Sequence, residues 1–258
     1  MCLYIFAYNV HPRYRLIMAS NRDEYYDRPT EKAHFWPSAP QVLAGRDLEM
    51  GGTWMGITKK GRFAALTNYR DSSSQVVNAN SRGTLVSNYL ISDKTPQEYM
   101  SCVINSRAGY NGFNLLTADS SKILYYNKNL PSAVILEPGI YGLSNHYLNT
   151  PWFKVKKSKQ ALTNYLKNSK MIETESLFAI MKDTEQAPDH ELPDTGLSQE
   201  REKLLSSIFI QGTDYGTRSS AVLLIEHSGH VIFQEKSYKT DQQECLKLTY
   251  EFDLLDVN

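Results

Sequence analysis

The sequence predicts an α+β fold built on mainly antiparallel sheets. Strand-like apolar runs occur in groups joined by short turns, and helical segments lie between these groups instead of alternating with single strands. Strands connected as hairpins pair antiparallel, and helices that are grouped apart from them pack outside the sheets. A P-loop fold is excluded because neither GxxxxGKS nor GxxxxGKT occurs, and GGTWMG is interpreted as a hairpin glycine pattern.

The first third of the chain predicts two hairpins. CLYIFAY and RYRLIMAS are apolar runs separated by NVHPR, and we expect the second of these strands to end at Ser20. GTWMGIT and RFAALTN are joined by the turn residues KKG and predict the second hairpin. The N-terminal part of the chain is therefore expected to start the sheets.

Two helices are expected next. SRGTLVSNYLIS has its apolar residues at helical spacing, with Ser81 as the expected N-cap. TPQEYMSCVINS begins with Thr95 and Glu98 at the spacing of a capping box. Cys102 lies at the apolar spacing of this second helix, which predicts a small core residue.

The rest of the chain predicts strands, two helices and strands again. Strands are expected at GFNLLTAD, KILYYNK, SAVILEPG and GIYGLSN, and later at SSIFIQ, SSAVLLIEHSGHVIFQEKSY and LKLTYEFDLL. Helices are expected at TPWFKVKKSKQALTNYLK and MIETESLFAIMKD, with the lysines of KVKKSK on a solvated face. The polar segment DTEQAPDHELPDTGLSQE contains two prolines and predicts a long mobile loop.

Composition and charge limit the functional classes. The 258 residues suit one large domain or two small ones, and 28 basic residues balance 28 acidic residues. A neutral chain offers no basic field for nucleic acid or an anionic membrane. No apolar run reaches the length of about 18 residues that a membrane span requires. The scattered cysteines Cys2, Cys102 and Cys245 favour a reducing compartment, so we expect a cytoplasmic protein.

Cys2 stands at the head of the first predicted strand, directly after Met1. Cysteine is small enough for the initiator methionine to be removed, which leaves a thiol and a free α-amine on one residue. Such an amine titrates near ~7.7–8.0 and can act as the general base for the sulfur nucleophile. The alternative is a small apolar residue at a strand start, and the position alone leaves both interpretations open.

Four polar residues, Asn21, Arg22, Asp23 and Glu24, follow the first hairpin. Such a run usually forms a surface turn. Antiparallel pairing, however, returns the end of the second strand to the start of the first, so we expect Arg22 and Asp23 next to Cys2. A guanidinium there lowers the pKa of the thiol, and a carboxylate can hold the α-ammonium in place.

Three later residues are further candidates. Asn68 closes the LTN strand end and Asn145 closes LSN, and an amide beside a nucleophile can donate hydrogen bonds to an oxyanion. Both asparagines are also ordinary turn residues. Arg218 in YGTRSS precedes a strongly apolar strand and is either a site cation or a strand-flanking charge.

The sequence predicts no metal and no cofactor. Of the six histidines only HSGH forms a cluster, and it stands at an expected hairpin turn without acidic or cysteine ligands nearby. A serine triad lacks the GxSxG elbow that would support it.

The chain resembles the NRDE family, also called the Transport and Golgi Organisation 2 family. The matching stretches run nearly from end to end: MCLYIFAY, ASNRDEYYDRP, GGTWMGITKKGRFAALTNYR, SRGTLVSNYL, GFNLLTAD, GLSNHYLNTPWFKV and YGTRSSAVLLI. The resemblance implies a single domain over residues 1–258. It also implies a four-layer αββα sandwich of two mainly antiparallel sheets, like that of N-terminal nucleophile hydrolases.

A more distant resemblance is to the choloylglycine hydrolase and penicillin V acylase group, which cleaves linear amides with an N-terminal cysteine. It implies a catalytic set of a nucleophile, a turn arginine and aspartate, two strand-end amides and a late arginine, matched here by Cys2, Arg22, Asp23, Asn68, Asn145 and Arg218. Asn21, Trp54 and His146 are assigned to substrate binding. The order Asn-Arg-Asp departs from the Arg-Asn-x-Asp of that group, which leaves open whether Arg22 and Asn21 exchange roles.

These observations give three functional hypotheses. The leading one is an N-terminal-cysteine amidohydrolase that acts on a small-molecule linear amide or acyl substrate. The alternative is a non-catalytic carrier for haem or a lipid-like molecule, because family members are associated with secretory-pathway organisation, lipid balance and haem mobilisation. A third is a scaffold in which the NRDE segment is purely structural. Oligomeric state and substrate identity are left open.

Overall fold

A computed structural model of the chain describes residues 2–70, 76–239 and 243–255. Within these ranges the strands are β1 Cys2–Tyr8, β2 Tyr14–Tyr25, β3 Thr30–Trp36, β4 Ala39–Asp47, β5 Met55–Thr58, β6 Phe63–Asn68, β7 Phe113–Ala118, β8 Ile123–Asn127, β9 Val134–Ile135, β10 Gly139–Leu143, β11 Tyr215–Glu226, β12 His230–Tyr238 and β13 Glu244–Asp253. The α-helices are α1 Gly83–Ile91, α2 Pro96–Ser106, α3 Phe153–Asn168, α4 Thr174–Met181 and α5 Gln199–Leu204. Short 3-10 helices lie at Arg107–Gly109 and Asp189–Glu191.

The first of two compact units comprises Met1–Asp27 and Pro138–Glu251. Its six-stranded sheet has the order β10-β1-β2-β11-β12-β13. Alternate residues of β1, β2 and β11 point to the same face, and there they pack against α3 and α4. This core contains Leu3, Ile5, Ala7, Ile17, Ala19, Val222 and Leu224 from the strands, and Val155, Leu162, Leu177, Phe178 and Met181 from the helices.

The second unit comprises Arg28–Glu137 and Phe252–Asn258. Its seven strands follow one another in chain order from β3 to β9, as expected for successive antiparallel neighbours. Helices α1 and α2 pack on one face of this sheet over a separate apolar core. The predicted α+β class with antiparallel sheets is therefore confirmed.

The predicted hairpins are confirmed, but β2 is longer than expected. It runs from Tyr14 through the NRDE residues to Tyr25 instead of ending at Ser20. Asn21, Arg22 and Asp23 are buried strand residues. Asn21 and Arg22 pair with β1, and all three residues pair with β11, so their backbone groups find partners beyond the point where the apolar residues stop. The interpretation of this segment as a surface turn is wrong.

One prediction for helices α1 and α2 is confirmed in detail and two are wrong. The capping box at Thr95 and Glu98 is present: Glu98 N donates to Thr95 Oγ1 at 3.3 Å, and Thr95 N donates to Glu98 Oε2 at 2.8 Å. At α1 the N-cap is Arg82 and not Ser81. Cys102 is exposed, so its prediction as a core residue is wrong: α2 packs through Tyr99 and Val103, and Cys102 lies beside that stripe.

Four elements differ from the prediction. Strands β3 and β4 and helix α5 were not predicted, and the segment SSIFIQ forms no strand. The polar segment before α5, whose mobility stays a prediction, forms ion pairs with α3. Lys156 Nζ lies 2.5 Å from Glu191 Oε2, and Lys157 Nζ lies 2.5 Å from Asp183 Oδ2.

Among the residues that the structure describes, no helix has the length and apolar character needed to cross a membrane.

Candidate active site

The strand register of the first unit places Cys2 beside the NRDE segment. Cys2 lies opposite Arg22 in the β1–β2 ladder, and Arg22 lies opposite Ser219 in the β2–β11 ladder. Asp23, one residue further along β2, lies opposite Thr217. The expected neighbourhood of Cys2, Arg22 and Asp23 is confirmed.

Asn145 follows the strand on the other side of β1. In the β1–β10 ladder Tyr4 lies opposite Leu143, and β10 ends there. Asn145 therefore lies two residues beyond the end of β10, at the end of the sheet where β1 begins. Asn145 is fully buried, and its Oδ1 accepts a hydrogen bond from Ser144 Oγ at 3.3 Å.

Arg218 occupies a β-bulge in β11. Thr217 pairs with Asp23 and Ser219 pairs with Arg22, so Arg218 is an extra residue between two successive partners. A bulge bends its strand and turns a side chain away from the regular pleat. Arg218 Nη1 donates to the backbone oxygen of Tyr25 at 3.1 Å. Burial and the nearby positive charge of Arg22 lower the pKa of Arg218.

The polar residues of β2 divide between the two faces of the sheet. Directly paired residues share a face, so Cys2 and Arg22 point to the same side. Asn21 and Asp23 alternate with Arg22 and point to the other side, the face that α3 and α4 cover. Asp23 therefore approaches Cys2 from the helix side of the sheet.

The Cys2 thiol is almost completely enclosed, with 6% of the residue exposed. Burial raises the pKa of this thiol, the negative charge of Asp23 raises it further, and the positive charge of Arg22 lowers it. Arg22 therefore acts in the expected direction, but the expectation of a net lowered pKa is wrong because desolvation outweighs it. The thiol is protonated at neutral pH, and its reaction requires a base.

Asp23 is held by two residues of β11. Thr217 Oγ1 donates to Asp23 Oδ1 at 2.8 Å, and the Tyr215 hydroxyl donates to the Asp23 backbone oxygen at 2.9 Å. Burial raises the pKa of Asp23, whereas the positive charge of Lys154 and the Thr217 hydrogen bond lower it. The carboxyl group is thus a fully buried acid with a charged neighbour.

Lys154 is a residue that the sequence interpretation missed. It stands in the first turn of α3, and only 1% of it is exposed, so its assignment to a solvated face is wrong. The neighbouring Lys156 and Lys157 do point outward. The helical spacing that places Val155 and Ser158 inside was a usable indication, because Lys154 lies on the same side of the helix as Ser158.

Asn21 has a structural role that the sequence did not reveal. Its Nδ2 donates at 2.8 Å to the backbone oxygens of both Met181 and Ile208, and its Oδ1 accepts from Ser220 Oγ at 2.6 Å. Both amide hydrogens are therefore used inside the protein, and the side chain is completely buried. These contacts give Asn21 a structural role, and its role in substrate binding stays a prediction.

His146 is half-buried directly after Asn145. Its Nδ1 lies 2.9 Å from Thr150 Oγ1 at hydrogen-bond distance, and its ring packs 5.6 Å from the ring of Trp152 between centroids. Burial lowers the pKa of His146, so the ring is neutral at pH 7. It remains a candidate for substrate contact.

Trp54 and Asn68 belong to the second unit. Asn68 is the last residue of β6 and pairs with Phe113, as expected for a strand-end amide. Trp54 precedes β5, and its ring lies against Gly45, where any Cβ would overlap the indole. The structure therefore places four of the six predicted catalytic residues on neighbouring strands of one sheet: Cys2, Arg22, Asp23 and Arg218. Asn145 follows β10 of the same sheet, and Asn68 stands in the other unit.

The fold is similar to that of two solved structures. A mutant conjugated bile acid hydrolase from Clostridium perfringens aligns with a TM-score of 0.53 at 10% identity, covering 98% of this chain and 92% of that chain. An N-acylethanolamine-hydrolyzing acid amidase orthologue from Caenorhabditis elegans aligns with a TM-score of 0.50 at 13% identity, covering 86% and 92%. The chain has an N-terminal-nucleophile-hydrolase-like fold.

Sequence comparison defines the family. The family model for Transport and Golgi organisation 2 matches residues 1–240. The Transport and Golgi organization 2 homologue of Mus musculus is 36% identical, over 98% of this chain and 99% of its own length. The homologue of Bos taurus is 38% identical with the same coverage. The chain belongs to the Transport and Golgi organisation 2 family, as its motifs predicted.

Proposed function

We propose that this chain, after removal of Met1, is an N-terminal-cysteine amidohydrolase that cleaves a linear amide or acyl substrate. The observation that carries the proposal is the direct pairing of Cys2 with Arg22 in the β1–β2 ladder, with Asn145 two residues beyond the end of the neighbouring strand β10. Asp23, the next residue of β2, adjoins this pair from the helix side. A nucleophile, an amide donor, a cation and a carboxylate are the groups that acyl transfer uses.

The protonated thiol defines the first step. Because burial raises the pKa of Cys2, sulfur attacks only if a base removes its proton. In the processed chain the α-amine of Cys2 takes that proton while Sγ bonds to the acyl carbon. The C–N bond then breaks, and the same proton passes to the leaving amine. Water hydrolyses the resulting thioester, which releases the acid and restores the thiol.

The other residues stabilise charge in this scheme. Asn145 donates to the tetrahedral oxyanion. Asp23 holds the α-ammonium, while Arg22 offsets negative charge beside the sulfur. Arg218, displaced by its bulge, contacts the substrate. The structural neighbours support the scheme in that they are named as hydrolases of a conjugated bile acid and of N-acylethanolamines.

The test is carried out on processed protein. Intact-mass spectrometry first verifies that Met1 has been removed. A panel of linear N-acyl amides is then assayed for amine release, and a thiol-directed acylating probe is located by peptide mass spectrometry. We expect hydrolysis and stoichiometric labelling at Cys2, and both are lost in Cys2→Ala. Asn145→Ala is expected to lower kcat by about 10²–10³.

Cys102→Ala is the matched control, because Cys102 is a free but exposed thiol on α2. It should retain full hydrolysis. Processed wild-type protein that labels no more than Cys2→Ala contradicts the proposal. That result would favour the non-catalytic carrier, for which a Soret band on titration with haem is the expected signature. The scheme also includes the cytoplasmic location predicted above, where Cys2 stays reduced.

A further inference from the structure

A buried lysine requires a partner. Lys154 has 1% of its surface exposed although it begins α3, and its neighbour Val155 packs into the apolar core with Leu3 and Ile5. Removing an ammonium from water costs several kcal/mol unless an opposite charge compensates it. The first turn of a helix is also an unfavourable place for a cation, because the helix dipole is positive there. The position of Lys154 therefore calls for a nearby carboxylate.

The first unit contains three buried carboxylates among its described residues: Asp23, Glu202 and Glu235. Glu235 lies on β12 opposite Ala221, which in turn lies opposite Ser20. Ser20 shares its face with Arg22, so Glu235 points away from the face that α3 covers. Glu202 belongs to α5, where its Oε1 accepts a hydrogen bond from Thr195 N at 3.2 Å.

Asp23 is buried, and it also lies on the face of the sheet that α3 covers. Helix α3 packs on β1 and β10, and β2 is the next strand beyond β1. On β2 the side chains of Asn21 and Asp23 point toward the helices, as the hydrogen bond from Asn21 to Met181 O at the end of α4 shows. In agreement with this placement, the charge of Lys154 is the main influence that lowers the pKa of Asp23.

We propose that Lys154 is a positioning residue of the Cys2 site: its buried ammonium is the counter-ion that keeps the Asp23 carboxylate charged beside Cys2. The pairing itself stands on burial and topology, whereas its catalytic consequence rests on the proposed function. Lys154 acts through Asp23 and need not touch the substrate. The same charge pair also orients the first turn of α3 against the edge of the site.

Other charged groups around Asp23 shift its pKa, and Asp23 shifts the pKa of its neighbours. Glu24, the next residue of β2, raises the pKa of Asp23. Asp23 in turn raises the pKa of Cys2 on β1 and that of Tyr215 on β11. Lys154 is the described cation on α3 that opposes these effects. The amino terminus also lowers the pKa of Asp23. Removal of Lys154 takes away the larger of these two positive influences, so Asp23 then takes up a proton at a higher pH.

The pairing is tested by a double-mutant cycle in urea unfolding, which needs no substrate. We expect Lys154→Met and Asp23→Asn each to lower the denaturation midpoint, and the double variant to be more stable than Lys154→Met alone. A buried charge that loses its partner is costly, whereas removal of both charges is not. Additive losses overturn the proposal. If Lys154→Met fails to fold, folding of the double variant supports it, and failure of both overturns it.

The positioning role is tested by the pH profile of kcat/KM. In Lys154→Met the fall of kcat/KM on the acidic limb of the profile should occur at a higher pH than in wild type. We expect kcat/KM at pH 6 to be reduced by about tenfold or more. Lys154→Arg, which keeps the charge, should restore the limb, and the exposed neighbour Lys156→Met should leave it unchanged. An unshifted limb in Lys154→Met overturns the role. If wild-type protein hydrolyses nothing, the proposed function fails, while the unfolding cycle still decides the pairing.

Discussion

Asn21 shows how a residue from a recognisable motif can serve the fold instead of the chemistry. Its amide connects β2 to two backbone oxygens, one at the end of α4 and one at Ile208 before β11, and it also receives the Ser220 hydroxyl. A single side chain thus connects three segments that are far apart in sequence. Because it uses both donors on backbone groups, it fixes the strand that presents Arg22 and Asp23.

We therefore predict that Asn21→Ala destabilises the protein while Asn164→Ala does not. Loss of three buried hydrogen bonds, each worth about 1 kcal/mol, should lower the free energy of unfolding by about 2–4 kcal/mol in urea titrations. Asn164 is an exposed amide on α3 bonded to Gln160, and its variant should stay within about 0.5 kcal/mol of wild type. Unchanged stability of Asn21→Ala together with weakened substrate binding would return Asn21 to the binding role.

Some site residues can be predicted from the sequence and others cannot, because only some of their contacts depend on local patterns. The adjacency of Cys2 and Arg22 follows from strand period and a short turn, both of which are local. The burial of Lys154 depends on where α3 packs on the sheet, and the local helical spacing indicates only that Lys154 lies on the same side of α3 as Ser158. The role of Thr217 also cannot be predicted from local sequence, because Thr217 and its partner Asp23 are 194 positions apart in the chain.

Among the elements, strand β11 has a key part in shaping the site. Its bulge displaces Arg218, and the residue before the bulge, Thr217, connects two segments. Thr217 Oγ1 donates to Asp23 Oδ1 and accepts from Ile210 N at 2.9 Å. The apolar run that predicts this strand carries no indication of the bulge, because the extra residue is defined only by the partner strand β2.

We predict that Thr217→Val destabilises the protein in a pH-dependent manner. At pH 7 the lost hydrogen bond to a carboxylate should cost about 1.5–3 kcal/mol of unfolding free energy. Burial raises the pKa of Asp23 above the value of 3.8 that it has in the unfolded chain. As the pH falls through this raised pKa, the folded state therefore takes up a proton. Since a protonated carboxyl depends less on the donor, the difference from wild type should narrow between pH 7 and 4.

Thr163→Val is the control for this prediction. Thr163 Oγ1 donates to Lys159 O within α3, away from any carboxylate, and its replacement should change stability by no more than about 0.5 kcal/mol at every pH. A Thr217→Val deficit that stays constant with pH would contradict the assigned hydrogen bond to Asp23.

For helices and loops, too, features that depend on local sequence can be predicted, whereas features that depend on distant contacts cannot. The capping box of α2 is encoded within four residues and appears as predicted. The segment between α4 and α5 is polar and contains prolines, yet Lys156 and Lys157 bind its acidic residues. Composition indicated a mobile loop because it reports hydration and not the partners that folding supplies.

At the scale of the whole molecule, the chain crosses between its two units more than once. It leaves the first unit after Asp27, returns at Pro138 and passes back at Phe252. The second unit is therefore completed by residues from the far end of the chain. These residues lie beyond the family match, which ends at residue 240. The sequence predicted a strand over LKLTYEFDLL, but not that its last residues join a different core.

The C-terminal segment closes the second unit through two half-buried side chains. The Phe252 ring packs edge-on to Phe35 at 5.7 Å between centroids, and Leu254 lies where a Cβ on Gly61 would meet its side chain at 2.9 Å. Leu255 N also donates to Lys59 O at 2.8 Å, although the Leu255 side chain is exposed. Apolar contacts and a backbone hydrogen bond therefore hold Phe252, Leu254 and Leu255 against the second unit.

We predict that the double variant Phe252→Ala/Leu254→Ala lowers the free energy of unfolding by about 1–3 kcal/mol, as expected for two half-buried apolar side chains. Leu255→Ala, one residue further on and exposed, should change it by less than about 0.5 kcal/mol. Urea unfolding followed by tryptophan fluorescence measures both, because Trp36 and Trp54 report on the second unit. Equal stability of the double variant and Leu255→Ala would mean that this segment contributes nothing to the fold of the second unit.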